Sequence, residues 1–158
     1  MKGKRGPRDL NKKSVPQLKR VLWDEFSLFI RIRDTDSNGF GNCISCGDPI
    51  QLGTTNCQAG HYHPKGNQGS HHLALPRYPG DKDVEMNVNG QCAGCNLMEG
   101  GNFINYESGL RDKYGSPETD LLKAEAAKHV IQKRYKGDLI DAIEYYREQV
   151  RELEERAA

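Results

Sequence analysis

Apolar residues recur with a helical period from Pro16 onward. Leu18, Val21, Leu22, Phe26, Phe29 and Ile30 fall at steps of three, four and seven, which predicts one buried face of an amphipathic helix. Pro16 is tolerated in a first turn, where its missing N–H would have no partner. The helix is predicted to stop near Asp34, because DTDSNGFGN is dense in turn formers. Residues 43 to 99 lose the period and read as an irregular, Gly-rich region with short strands. Within it, PKGNQGSHHLALPRYPGDKD has the look of a long loop, and such loops are usually functional or disordered. Helical patterning resumes over residues 103 to 114. Ser116-Pro117-Glu118 is a start signal, with Ser as the cap and Pro at the first position, and Gly137 is a stop. A last helix is expected from Asp138 to about Arg156. Its Leu139, Ile143, Tyr146, Val150 and Leu153 alternate steps of four and three, a seam that suits packing inside the monomer or a contact with a second copy.

The fold class expected is therefore α+β, mainly helical, with a flexible basic arm over 1–14, a central domain over 15–115 and a C-terminal helical hairpin over 116–158 that could dimerise. The length of 158 residues fits one domain with a helical extension. Only 35% of the chain is hydrophobic and 17 residues are Gly, so the core is modest and an added staple would be useful. No apolar run approaches 18 residues, which excludes a transmembrane helix at this level. MKGKRGPRDLNKK is followed by no apolar stretch and is not a secretory signal. The expectation is a soluble, cytoplasmic protein, in which five cysteines serve a metal or remain free thiols rather than form disulfides.

A net charge of +1 hides an asymmetry. Residues 1 to 20 carry Lys2, Lys4, Arg5, Arg8, Lys12, Lys13, Lys19 and Arg20 against the single acid Asp9. Such an arm suits a polyanion, since each neutralised phosphate releases condensed counterions; a solvated tail is the plainer reading. Lys2, Lys4, Arg5, Arg8, Lys12 and Lys13, with Lys65 and Arg77 of the long loop, are the candidate DNA contacts.

Cys43-Ile44-Ser45-Cys46 and Cys92-Ala93-Gly94-Cys95 are two CxxC pairs. One pair alone could mean redox chemistry; two predict a tetrahedral zinc site with four thiolate ligands. Zinc there would contribute about 10–16 kcal/mol of binding free energy to folding, more than the stability of a typical small domain. A closed four-sulfur site leaves no open position, so this zinc is structural. Cys57 is left over and reads as a small buried hydrophobe.

Between the pairs lies Gln58-Ala59-Gly60-His61-Tyr62-His63-Pro64, and after them come Asn87, Asn96 and Glu99. A His near a strand end, a central Asn and an Asn just after the second CxxC resemble the pattern of HNH, or ββα-metal, nucleases. FIRIRDTD, CISCG, AGHY, QCAGCN and GN, between residues 29 and 102, resemble more closely the NinG/Rap recombination endonucleases of lambdoid phages. QCAGCNLMEG is also similar to a stretch of the T-even phage endonuclease VII, a zinc-containing junction resolvase. The resemblance covers about half of the chain well. It implies an HNH core within 15–115 and a structure-specific DNA endonuclease, phage or prophage encoded, acting as a homodimer on branched intermediates such as Holliday junctions and D-loops. It implies structural Zn2+ on Cys43, Cys46, Cys92 and Cys95, and catalytic Mg2+ or Mn2+ on Asn96 with Glu99 completing the shell. His61 would be the general base, Asn87 would hold its ring, and His63 would contact the scissile phosphate. These roles suit the chemistry: hydrolysis needs an activated water and a cation at the phosphate, a neutral His takes a proton near pH 7, and an Asn oxygen suits a hard cation.

Two positions depart from the pattern. HNH enzymes usually place Asp directly before the base, where this chain has Gly60, and NinG-type proteins carry an acid three before it, where this chain has Gln58. His61 itself, His63, His71, His72, Asp81 or Asp83 would have to fill the gap, or the chain is a non-catalytic zinc-binding DNA module. A zinc-held scaffold for a protein partner is a third reading.

Overall fold

The computed structural model describes residues 9–64, 71–128, 130 and 132–158. Two lobes meet along one strand pair. The larger is built on α1 (Val15–Arg33) and α5 (Lys136–Ala157). Ser14 starts α1 with a capping box: its hydroxyl accepts from the Gln17 N–H, and the Gln17 amide oxygen accepts from the Ser14 N–H. The expected apolar face is inside, with Leu18, Leu22, Phe26 and Ile30 at 0% exposure. Across from it, α5 buries Leu139, Ala142, Ile143, Tyr146 and Val150. The Tyr146 ring meets Phe26 edge-on at 5.0 Å and Phe29 at 5.2 Å. Lys136 Nζ donates to Asn11 O at 2.9 Å, and Arg147 Nε to Glu25 at 3.1 Å. Position numbers rise together in these pairs, so the two helices run in the same direction.

This arrangement corrects three expectations. The seam of α5 is covered by α1 of the same chain, so α5 packs there rather than in a hairpin with α4 (Ser116–Ala126). Gly137 does not stop a helix but lies in the first turn of α5; α4 ends at Ala126 and has Gly115, not Ser116, at its cap. The arm is also shorter than expected. Residues Leu10–Lys12 form a 3-10 turn whose Leu10 is 7% exposed against the helical core.

The smaller lobe carries the cysteines. β1 (Phe40–Asn42) and β2 (Pro49–Gln51) pair antiparallel, with Gly41 opposite Ile50, and the first CxxC occupies their connection. β3 (Gln58–His61) pairs antiparallel with β4 (Val88–Gln91), with Gly60 opposite Asn89. Between those strands the chain makes a 3-10 turn at His71–Leu73 and the short α2 (Lys82–Asn87), which Asp81 caps through the Val84 N–H. After β4 come a π-helical segment, Gly94–Met98, and α3 (Phe103–Tyr114). The helix α3 lies tight on the first cysteine turn. A Cβ at Gly109 would stand 1.9 Å from Ile44 O, so only Gly permits this approach.

A buried clamp joins the lobes. Arg33, the last residue of α1, donates two hydrogen bonds to the Asp34 carboxylate and further ones to the carbonyls of Glu85 and Val88 and to Asn89 Oδ1. Asp34 also accepts from the Gly90 N–H of β4 at 2.7 Å and from Lys113 Nζ of α3 at 2.8 Å. Despite burial, these cations hold its carboxyl below the usual range. The RD of FIRIRDTD is thus the joint between helix and hairpin. No helix among the described residues is long and apolar enough to cross a membrane.

Candidate metal centre and active site

The four cysteine sulfurs of the two CxxC pairs all lie within 4.8 Å of one another. Cys46 Sγ and Cys92 Sγ are 3.8 Å apart, close to the edge of a tetrahedron with metal–sulfur bonds of about 2.3 Å. Two tight turns present them: Gly47 N–H bonds Cys43 O, and Asn96 N–H bonds Cys92 O. The cluster can hold a zinc ion, and four thiolates close its coordination. Cys57 is buried beside it and is not part of the group.

The second site is organised by the alternation of β3. Successive strand residues face opposite sides, so Gln58 and Gly60 share one face while Ala59 and His61 share the other. On the first face, a Cβ at Gly60 would meet Gln91 Oε1 at 2.0 Å and Asn96 Oδ1 at 3.1 Å. Asn96 Nδ2 donates to Gln58 Oε1 at 2.7 Å, which turns Asn96 Oδ1 outward from that bond. Gln91 Nε2 donates to Ser45 Oγ and Gly101 O, both at 2.8 Å.

On the opposite face, the His61 ring stacks on Trp23 of α1 with centroids 5.0 Å apart and planes at 21°. Its Nε2 is 2.8 Å from Ala74 O. A carbonyl can only accept, so a hydrogen sits on Nε2. Trp23 and Ala74, which both meet the His61 ring, also line an open groove with Lys19, Arg20, Asp24 and Leu75.

Several expected roles fall differently. His61 and Asn96 belong to opposite faces of β3 rather than to one. Asn87, fully buried, does not hold the His61 ring. Its Oδ1 accepts from the His63 N–H, and its Nδ2 donates to His63 O and Leu73 O, so it closes the backbone at the base of the excursion between β3 and β4. His63 does not present its ring for a phosphate: Nε2 is buried without a protein partner among the described residues. Burial and the nearby Lys123 push its pKa down, keeping it neutral. Glu99 is exposed at the end of the π-helical segment. The wide turn, closed by Glu99 N–H to Gly94 O, has more residues per turn than an α-helix, so Glu99 is not stacked one turn beyond Asn96.

The candidate DNA contacts divide. Lys12 is exposed, 3.6 Å from Asp9, and Lys13 is half-buried. Arg77 is committed to Asp81, Asp83 and Glu125 with its side chain only 13% exposed, which removes it as a phosphate contact. Lys2, Lys4, Arg5, Arg8, Lys65 and the side chain of His71 lie outside the described residues. His72, a possible substitute ligand, is 1% exposed and bonds Glu125 O. Asp81 and Asp83 are spent on Arg77 and the α2 cap. Sequence reasoning missed Trp23, Ala74 and Gln91. Trp23 had a signal, being the one Trp in the chain and standing off the apolar stripe of its helix; Gln91 and Ala74 had none, since only strand pairing and a distant loop bring them in.

A protein-family profile described as Bacteriophage Lambda NinG protein matches residues 5–156. The chain belongs to the NinG family. The match spans both lobes, so the α1–α5 pair is as much a part of the NinG chain as the cysteine lobe is. Comparison with curated proteins and with solved structures returns no match.

Proposed function

We propose that this NinG chain is a structure-specific DNA endonuclease, phage or prophage encoded and active in the host cytoplasm. It hydrolyses phosphodiester bonds at branched recombination intermediates with a zinc-stapled HNH core and a catalytic Mg2+ or Mn2+. The observation that carries this reading is the setting of His61. Ala74 O fixes the tautomer, Trp23 fixes the ring plane, and Lys19 and Arg20 stand along the same groove. An imidazole oriented through one nitrogen can take a proton through the other near neutral pH. The strand pairing also supports it: β3 and β4 pair as the two strands of a ββα-metal core would, with the 3-10 turn and α2 in their connection, and the second cysteine turn leads from β4 through the π-helical segment to α3.

Amide oxygens at Gly60 fit a hard cation, which prefers oxygen ligands. They are neutral and bind the cation as dipoles, and a DNA phosphate joining them adds the negative charge. When bound, the ion supplies charge neutralisation at the phosphate and the leaving oxygen. The chain's own residues do the rest: Asn96 orients the cation, His61 moves the proton, and Lys19 and Arg20 hold the backbone. A two-fold junction requires two cuts and hence two copies, meeting at a surface other than the α5 seam.

The separation of His61 from Asn96 by the strand favours a second reading, a DNA-binding module that does not cut. Incubation with a four-way junction and Mg2+ or Mn2+ decides. Nicks are expected, and His61→Ala should lower their rate by about 10²–10⁴-fold while junction binding persists. Binding without nicks from the unaltered chain selects the second reading, and absence of binding at low salt removes both.

A further inference from the structure

The position before the base, acidic in most HNH enzymes, is Gly60 here, and the space its side chain would fill is occupied. Gln91 Oε1 lies 2.0 Å from where a Cβ would be, inside the volume of an aspartate at that position. That oxygen is buried and has no hydrogen-bond partner among the described residues. Leaving a buried amide oxygen unpaired costs about 1–3 kcal/mol, so its orientation calls for a cause. The amide cannot simply be turned over. Its nitrogen donates to Gly101 O and Ser45 Oγ, and a carbonyl such as Gly101 O accepts only from a donor. The oxygen is thereby held toward Gly60.

A second oxygen points to the same place. Asn96 Oδ1 is 3.1 Å from the same virtual Cβ, so the two oxygens are at most 5.1 Å apart, the sum of those distances. Opposed ligands of an octahedral Mg2+ or Mn2+ are about 4.2 Å apart, twice a metal–oxygen bond of about 2.1 Å. Both oxygens are set by the cysteine lobe: Ser45 is inside the first CxxC, and Asn96 directly follows the second.

We propose that Gln91, reaching over from β4, is a ligand of the catalytic divalent cation and stands in for the missing acid at position 60. This rests on the nuclease reading above. The absence of Cβ at Gly60 is then part of the site, because it makes room for the ligand from the neighbouring strand. Gln58 is a positioning residue, since its Oε1 holds Asn96 Nδ2.

The test is Mn2+ binding to the zinc-loaded full chain, read from the loss of the free-ion signal in electron paramagnetic resonance, with zinc content measured alongside. One Mn2+ per chain is expected beyond the zinc. Gln91→Leu should weaken it by at least about tenfold with zinc retained. Gly60→Asp/Gln91→Ala moves the oxygen ligand to the other strand and should bind Mn2+ more tightly than Gln91→Leu; this second variant decides if Gln91→Leu loses zinc or fails to fold. Unchanged Mn2+ affinity in Gln91→Leu, together with loss in Asn96→Ala, overturns the ligand role and leaves the nuclease reading intact. Mn2+ binding that survives Asn96→Ala, or none in the unaltered chain, sinks both.

Discussion

The helical lobe and the cysteine lobe solve the same problem by different means. In the first, α1 and α5 interlock large apolar side chains: Leu18, Leu22, Phe26, Ile30, Ile143 and Tyr146 are each at 0% exposure. In the second, β3, β4 and α3 share that same core through Tyr62, Val88, Tyr106 and Leu110, while the part around β1, β2 and the two cysteine turns has a separate buried cluster of Ile50 and four cysteines, Cys43, Cys57, Cys92 and Cys95. Burial of a few small side chains yields only a few kcal/mol, which does not order a lobe of short strands and turns. Thiolate–metal bonds can. The comparison teaches that the stretch around the two CxxC pairs is the part of the molecule whose shape would depend on an ion.

The largest expected effect follows from that contrast. Stripping zinc with a chelator should remove about 10–16 kcal/mol of apparent folding free energy from the cysteine lobe, while α1 and α5 keep much of their helicity. Hydrogen exchange read segment by segment would test it: protection lost over β1, β2 and the two cysteine turns and kept in the α1–α5 core is the expected pattern, and uniform loss would show one cooperative unit. Next in size is the clamp between the lobes. Asp34→Ala leaves the Arg33 guanidinium and the Gly90 N–H without their carboxylate, and removing one partner of such a buried pair costs about 3–5 kcal/mol. Urea unfolding of the zinc-loaded variant measures it; a loss below about 1 kcal/mol would mean that the lobes dock without the clamp.

A smaller effect sharpens the comparison at α3. Glu107 accepts from Arg111, from the Tyr62 hydroxyl at 2.7 Å and from Lys123, and these donors, Arg111 first, hold its pKa down to about 2. A depressed carboxylate contributes stability that is present above its unfolded pKa of about 4.3 and is lost as pH falls toward about 2. The stability gap between the unaltered chain and Glu107→Gln should therefore shrink from pH 5 to pH 2.5 in urea titrations. Because Glu107 and its partners Arg111 and Lys123 all reach solvent, the gap should be small throughout.

Much of the helical lobe was legible in the residues. The stripe from Leu18 to Ile30 and the seam from Leu139 to Val150 give period, face and extent, because burial of a helix writes itself at short range. Their partnership was not legible, since a seam at steps of four and three fits α1 as well as a second copy. The sulfur cluster was legible too, as CxxC spacing reflects the reach of one tight turn to one metal. The remaining site was less so. Which face of β3 each side chain takes depends on the pairing register with β4, and residues 62 to 87 intervene between the strands. That is why Asn87 was expected at the imidazole and is found on the backbone of His63, and why Gln91 was passed over.

One property of the sulfur cluster sets the order in which it would wear. Cys43, Cys92 and Cys95 are buried, whereas Cys46 is exposed. Small chelators and peroxides meet that corner before any other. Damage to the ion's cage would start at the first knuckle, beside Ser45, and would reach the second only after the metal had been let go.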